Sequence, residues 1–201
     1  MTLSENFYQR EDVVQIARDL LGKVLVTEFD GILTSGIIVE TEAYAGAIDR
    51  ASHAFGNRRT SRTEVMFGVG GVAYVYLCYG IHHLFNVVTN NDGIPHAILV
   101  RGLEPLEGID HMLWRRKKTE LQPQLTAGPG SLSEALGIRT HHTGLSLQGP
   151  EIRIENQGIL IQEHDIVSGT RVGVAYAKED AFLPYRFSLR GNRFVSKGKG
   201  L

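Results

Sequence analysis

The residues best suited to chemistry in this chain are aromatic, acidic and basic side chains that fall within three short runs. In GVAYVYLCYGIHHLFNVVT, residues 71–89, high-β-propensity residues alternate with period two, so Tyr74, Tyr76 and Cys78 share one strand face and Ala73, Val75 and Leu77 the other. Tyrosine offers a flat apolar body with a polar end, which suits stacking on a planar ligand; Tyr74 and Tyr76 would also serve as core aromatics with satisfied hydroxyls. In GIIVETEAYAG, residues 36–46, Glu40, Glu42 and Tyr44 fall on the face opposite Ile37 and Val39. Glu40 reads as part of a solvated strand face. Glu42, two residues from Tyr44, sets a carboxylate beside an aromatic near a strand end and is a candidate functional acid. In ILVRGLEP, Arg101 sits amid apolar residues, so it should be partly buried and in need of an acceptor, for which Glu42 is a candidate.

The elements that must position these residues follow from periodicity and turn chemistry. Tyr79 meets Gly80, where the chain can turn, and a second β-like run at 84–89 makes an antiparallel hairpin with 79–83 at its tip. A turn centred near Ile81 would set Tyr76 opposite Asn86. Upstream, 11–21 carries apolar residues at helical spacing and stops at Gly22, and 23–29, Asp30-Gly31 and the run from Ile32 read as a hairpin. The long connection 45–63 holds His53, which alone means little, and Arg58, Arg59 and Arg62, which suit phosphate contacts. GVGG at 68–71 precedes a strand instead of opening a helix, so it is a turn and not a dinucleotide fingerprint. After the Asn91-Asp92-Gly93 turn come a strand at 96–103 and a helix over 106–117 that ends in RRKK, with Trp114 as a packing anchor. Ser131 and Glu134 have capping-box spacing for a short helix stopping by Gly137; its N-terminus could hold a phosphate, although capping is the stronger reading. Further β-like runs at 152–154, 159–162, 170–175 and 186–189 make strands dominate the last third. The whole predicts an α+β (mixed α/β) fold: one domain over residues 1–201, with a curved, mainly antiparallel sheet, a protruding hairpin and peripheral helices.

Composition narrows the class. A chain of 201 residues with 42% hydrophobic content can bury a proper core. One cysteine, Cys78, excludes an internal disulfide framework and any cysteine-based zinc site, which fits a reducing compartment and a cytoplasmic location. No apolar run approaches the roughly 20 residues of a membrane span, and the N-terminus has neither a signal nor a transit composition, so a soluble, unexported protein with no membrane partner is expected. The net charge is −1, yet Arg50, Arg58, Arg59 and Arg62 form one acid-free basic segment, and Arg186, Arg190, Arg193, Lys197 and Lys199 another. These could make one basic face or simply be solvated loops. Eight histidines lack ligand spacing, HExxH is absent, no nucleophile elbow occurs and Cys78 has no evident base, so neither a metal site nor a nucleophilic triad is expected.

The motifs VETEAYAG, ASHAFGNRRTSR, VMF, VAYVYLCYGIHHLFN, LVRGLEPLEG, AGPGSLSEALGI, RVGV and PYRFSLRG occur in this order. In that order and over nearly the whole chain they resemble the alkyladenine (3-methyladenine) DNA glycosylase family, as a bacterial-type member. The resemblance implies an enzyme that excises alkylated purines from double-stranded DNA by hydrolysing the N-glycosidic bond, with no metal and no cofactor, acting as a monomer in the bacterial cytosol and nucleoid. It implies that Glu42 is the general base that activates water, held with Arg101, and that Tyr79 intercalates in the gap left by the flipped nucleotide. Tyr44, Tyr76 and His53 would enclose the base, and Asn86 would sit at the pocket floor against a guanine 2-amino group. Departures are His82, where vertebrate members carry an aromatic, a slightly longer 89–95 loop, and the lack of a long N-terminal extension.

The implied chemistry agrees with the residues. Extruding a nucleotide costs a few kcal/mol, which an exposed wedge at a hairpin tip can offset. An aromatic cage attracts a cationic alkylated purine by about 0.5–2 kcal/mol beyond stacking. A carboxylate both stabilises an oxocarbenium-like sugar and takes a proton from water. A cationic base leaves without an acid; for neutral hypoxanthine or ethenoadenine only water or His53 is at hand. No lysine lies in these motifs, so a monofunctional hydrolase without lyase activity is expected. The alternatives are a non-catalytic damaged-base recognition protein, in which Glu42 and Arg101 would be superfluous, and an enzyme of free nucleosides, in which Tyr79 would be.

Overall fold

The computed structural model describes residues 1–198 and 200; the Lys199 of the second basic segment lies outside the described residues. Two helices open the chain, α1 (Glu5–Tyr8) and α2 (Val13–Asp19). Asp12 caps α2 by accepting from the Gln15 N–H at 2.9 Å, and Gly22, at φ +80°, ends the excursion by donating to the Ile38 carbonyl. Strands β1 (Val24–Phe29) and β2 (Ile32–Tyr44) form the expected hairpin, with Asp30 and Gly31 both at positive φ as a two-residue turn requires. Then come β3 (Ala73–Cys78), β4 (His82–Thr89), β5 (His96–Glu107), α3 (Ile109–Arg115), α4 (Pro129–Leu136), β6 (Ile152–Glu155), β7 (Ile166–Gly169) and β8 (Arg186–Leu189).

All strand pairs are antiparallel, in the order β3-β4-β5-β2-β1-β6, with β8 bridging β2 and β7. The 13-residue β2 is the spine. One edge of it pairs with β5; the other pairs first with β1 and then, from Glu40 to Glu42, with β8. That change of partner, with register shifts around Ile38–Thr41 that leave Val39 and Arg101 without cross-strand partners, curls the sheet into a half-barrel. Leu20, Ile16, Ile38, Phe85, Ile98, Leu103 and Leu136 belong to the main core, beneath α2 and α4. Both faces of the spine are thereby covered. Thr41 donates to the Ala17 carbonyl of α2 at 2.8 Å, while Glu40 and Glu42 point the other way and are also fully buried.

Several expectations are corrected by this packing. Tyr74, not Tyr76, pairs with Asn86, because the hairpin turns about Gly80 and Tyr76 pairs with Leu84; the shift is two residues, so the faces are conserved. β5 continues to Glu107 by pairing with Ser35, so α3 begins at Ile109, and Trp114 is 76% exposed instead of anchoring the core. α4 starts at Pro129, a favoured first helical residue, and Ser131 and Glu134 accept from Arg116 instead of forming a capping box. Residues 159–162 and 170–175 are not strands; β7 occupies 166–169, and 175–182 wind into 3₁₀ turns. Glu40 is not solvated. The acid-free basic segments find acids in space, Arg50 on Glu179, Arg59 on Glu64 and Arg186 on Glu40.

The tight seam between β2 and β5 makes a specific demand at Gly102. A Cβ there would lie 2.7 Å from the Phe194 carbonyl and 3.1 Å from the Glu40 Cβ. Gly102→Ala is expected to lower unfolding free energy by about 1–3 kcal/mol in a urea titration, since backbone must move to admit one methyl group.

Candidate active site

The site grows from the face of β2 that carries Glu40, Glu42 and Tyr44. Glu42 is wholly buried and its two oxygens are separately engaged: the Tyr44 hydroxyl donates to Oε2 at 2.8 Å, and the Val172 N–H donates to Oε1 at 2.7 Å. Arg101, from the irregular stretch of β5, brings its Nε to 3.4 Å from the same Oε1. Its stronger contact is with Glu40, to which Nε donates at 3.1 Å. Glu40 also accepts from Arg186 Nε at 2.8 Å, Ser196 N–H at 2.6 Å and Ser196 Oγ at 3.0 Å. Burial opposes the charge of Arg101, yet the carboxylates of Glu42 and Glu40 more than offset it and hold its pKa above the ordinary arginine value.

In front of this group opens a cavity of about 630 Å³, within the size range of small-ligand sites. Tyr44 and Arg101 line its inner end, Tyr76 and Asn86 the β3–β4 wall, and His53 and Arg62 the opposite loop; Gly128–Ser131 and Val172–Val174 complete it. Three rings pack on one another: His53 stands edge-on to Tyr76 at 4.6 Å, and Tyr74 lies 5.6 Å from Tyr76. Both strand tyrosines line the cavity. Tyr74 is the more deeply buried and also packs in the core, its hydroxyl meeting His53 Nδ1 at 2.8 Å, and Tyr76 is half-buried. Asn86 is buried, its amide donating to the Tyr74 and Leu84 carbonyls, both at 3.1 Å.

The electrostatics of the cavity favour neutral aromatic groups. Burial, and then the Glu42 charge, raise the Tyr44 hydroxyl well above its usual range, and burial foremost raises Tyr76. Burial, aided by Arg62 and Arg58, lowers His53 to about 4, so its imidazole is neutral near pH 7. Arg62 lies over the Tyr76 ring with its guanidinium carbon 5.3 Å from the centroid. Arg59 is held by Glu64 and the Phe67 ring, and Arg58 is exposed.

At the cavity rim, the β3–β4 tip projects Tyr79, 92% exposed, with Ile81 beside it. Cys78 O accepts from Ile81 N–H at 3.1 Å across Tyr79 and Gly80, at φ +51° and +73°, the signs that a type I′ turn requires. Glycine takes this conformation freely. Tyrosine does so at a cost on the order of 1 kcal/mol, so its presence at an exposed tip has no folding rationale.

The fold thus brings Tyr44, His53, Tyr76, Asn86 and Arg101 together around one cavity, with Tyr79 at its rim and Glu42 buried behind its wall, bonded to Tyr44 and Val172, which line it. Sequence reasoning missed Glu40 and Ser196, which accept from Arg101, Arg186, which pairs with Glu40, and the buried pair of Arg171 with Asp49 behind Tyr44. Glu40 carried one usable signal: a second acid on the Glu42 face of a strand rich in apolar residues.

Nearly the whole chain, residues 6–193, matches the methylpurine-DNA glycosylase (MPG) family, and the protein belongs to that family. Among individual relatives, the "Putative 3-methyladenine DNA glycosylase" of Bacillus cereus strain G9842 is 46% identical over 205 residues, covering 98% of this chain and all of the relative. The proteins of the same name from Bacillus cytotoxicus and Bacillus mycoides are similar at 47% identity over 95% of this chain and 97% of the relative, and at 46% over 98% and 100%.

Removing the second carboxylate tests the charge balance behind the cavity. Glu40→Gln strips Arg101 and Arg186 of their closest acceptor charge in a buried setting and is expected to cost about 3–5 kcal/mol of stability, measured by chemical denaturation.

Proposed function

We propose that this protein is a DNA glycosylase that flips alkylated purines, 3-methyladenine and 7-methylguanine foremost, out of duplex DNA and hydrolyses their N-glycosidic bond. The observation that carries this reading is a buried carboxylate, Glu42, hydrogen-bonded at the back of an aromatic cavity whose rim bears an exposed tyrosine. Tyr79 fills the gap in the base stack, which offsets the few kcal/mol of unpairing and unstacking. Tyr44, Tyr76 and His53 enclose the base. A cationic purine gains from their faces, and a neutral His53 does not repel it. Asn86, held by two carbonyls at the floor, disfavours the 2-amino group of a neutral guanine, a cost that the positive charge of 7-methylguanine offsets on the aromatic faces.

The chemistry uses one water. As the bond from the base nitrogen to C1′ breaks, its electron pair leaves with the base and C1′ becomes oxocarbenium-like. The Glu42 carboxylate stabilises that charge and takes a proton from water as the water oxygen bonds to C1′, leaving an abasic sugar. Arg101 fixes the Glu42 oxygen on its side. A base that is already cationic departs neutral and needs no acid. Hypoxanthine and ethenoadenine need a proton, and a neutral imidazole is a poor source, so their release is slower. Among the described residues lining the cavity there is no lysine, which supports hydrolysis without a Schiff base. Arg58, exposed beside the rim loop, contacts the DNA backbone, as do Arg59 and Arg62 where their present partners allow. The protein acts as a monomer in the cytosol, in keeping with its one cysteine.

The competing reading is a protein that recognises damaged bases without cutting. It has no use for a desolvated carboxylate bracketed by a hydroxyl, an amide and a guanidinium. Single-turnover base release from duplex DNA containing 7-methylguanine separates the two. Wild type is expected to release the base and Glu42→Gln to be slower by about 10³-fold or more, with lesion-duplex affinity retained. Binding without release by wild type would favour recognition alone. For the wedge, Tyr79→Asn keeps a residue that tolerates positive φ, so stability is expected to hold or rise slightly while lesion-duplex affinity falls by about tenfold or more in a fluorescence titration.

A further inference from the structure

We propose that Arg171 is a positioning residue for Glu42, acting through the Val172 N–H and the Tyr44 hydroxyl; this rests on the reading of Glu42 as the hydrolytic base. Arg171 is the largest fully buried side chain among the described residues. Its Nη1 donates to the Ala43 carbonyl at 2.9 Å and to Asp49 Oδ2 at 2.5 Å, and its Nη2 donates to Asp49 Oδ1 at 2.9 Å and to the Asp180 carbonyl at 3.0 Å. One planar group thereby ties together the end of β2, the loop that leads to His53, and the 3₁₀ segment that follows Val172. Asp49 is itself fixed, accepting from the Ala45 and Ala51 N–H groups, each at 3.0 Å.

Both hydrogen bonds donated to Glu42, other than from Arg101, come from groups that Arg171 immobilises. Val172 is the next residue in the chain, and the Tyr44 ring lies under the guanidinium with 4.8 Å from its carbon to the centroid. Arg171 does not line the cavity and acts only through these two groups. The pair is a weak choice for stability alone, because a buried ion pair gains little over an apolar pair of similar volume. An apolar pair cannot fix four acceptor contacts in one plane, and a misplacement of about 1 Å at a reacting group costs on the order of 10²-fold in rate.

The test uses that difference. Arg171→Met and Asp49→Leu each leave one buried charge unpaired and are expected to destabilise; Arg171→Met with Asp49→Leu leaves no charge and should recover the part lost to it, the Ala45 and Ala51 N–H groups still lacking the Asp49 acceptor. Single-turnover release from 7-methylguanine duplex, lesion-duplex affinity, and hydrogen exchange at the Val172 amide are measured on wild type, Glu42→Gln and the double variant. Positioning predicts that the double variant, though stable, releases base about 10²-fold more slowly than wild type, binds the duplex with affinity within about threefold, and exchanges the Val172 amide faster. Recovery of the rate along with stability would reduce Arg171 to a fold residue, and a slowed rate with Val172 protection intact would also overturn the proposal. If wild type releases no base, the hydrolytic reading of Glu42 falls by itself, and Val172 exchange alone decides: unchanged protection in the double variant rejects positioning, and lost protection sustains it.

Discussion

The structure depends on how two fully buried carboxylates are kept charged-compatible inside a sheet. Glu40 and Glu42 project from the same face of β2, where an unpaired carboxylate would carry a penalty of several kcal/mol. Two guanidiniums meet them, Arg101 from the neighbouring strand on one side and Arg186 from the strand on the other, and backbone amides of Ser196 and Val172 complete the set. Each donor comes from a different part of the chain. The branching of the sheet at β2, with β5 on one edge and β8 on the other, is what delivers both arginines to one place.

That arrangement also divides labour between the acids. Glu40 has four hydrogen-bond donors and is the counter-charge that fixes Arg101. With its Nε aligned on Glu40, Arg101 is only loosely shared with Glu42, at 3.4 Å. Glu42 consequently keeps an oxygen environment made of one amide, one hydroxyl and one distant cation. The fold places this carboxylate behind the Tyr44 and Tyr76 rings, whose own ionisation is suppressed by burial. Neutral π-faces with a carboxylate behind them are, as a rule, attractive to positive charge.

The hairpin shows the opposite economy. Its inner end is well packed, with Tyr74 and Phe85 buried and Asn86 hydrogen-bonded, while its tip holds a solvent-exposed tyrosine in a conformation that glycine would take more easily. Rigid strands beneath this strained, exposed aromatic set the direction in which it projects. The tip and the cavity share the β3–β4 ladder, so their relative placement is fixed by strand register and not by a flexible loop.

Much of this was legible before any coordinates. Period-two alternation located β2 and β3, β-like runs beside turns located β4 and the first part of β5, the Asp30-Gly31 dipeptide located the first hairpin, and the shared face of Glu42 and Tyr44 followed from strand periodicity. Local chemistry is readable because it involves residues two to four apart. What the sequence misjudged were matters of cover and partnership: Glu40 read as solvated because the β8 strand and the Ser196 segment that bury it lie about 150 residues downstream. Trp114 read as an anchor because its helix was drawn too long, β5 having claimed the residues through Glu107 by pairing with Ser35. The basic segments looked acid-free because the acids that meet Arg50 and Arg186 are distant in sequence and the one that meets Arg59, Glu64, lies just past the segment's end. Residue type and short-range spacing therefore determined which side chains could act, and the tertiary structure alone decided which of them are desolvated, because burial and counter-charge are properties of what packs on top.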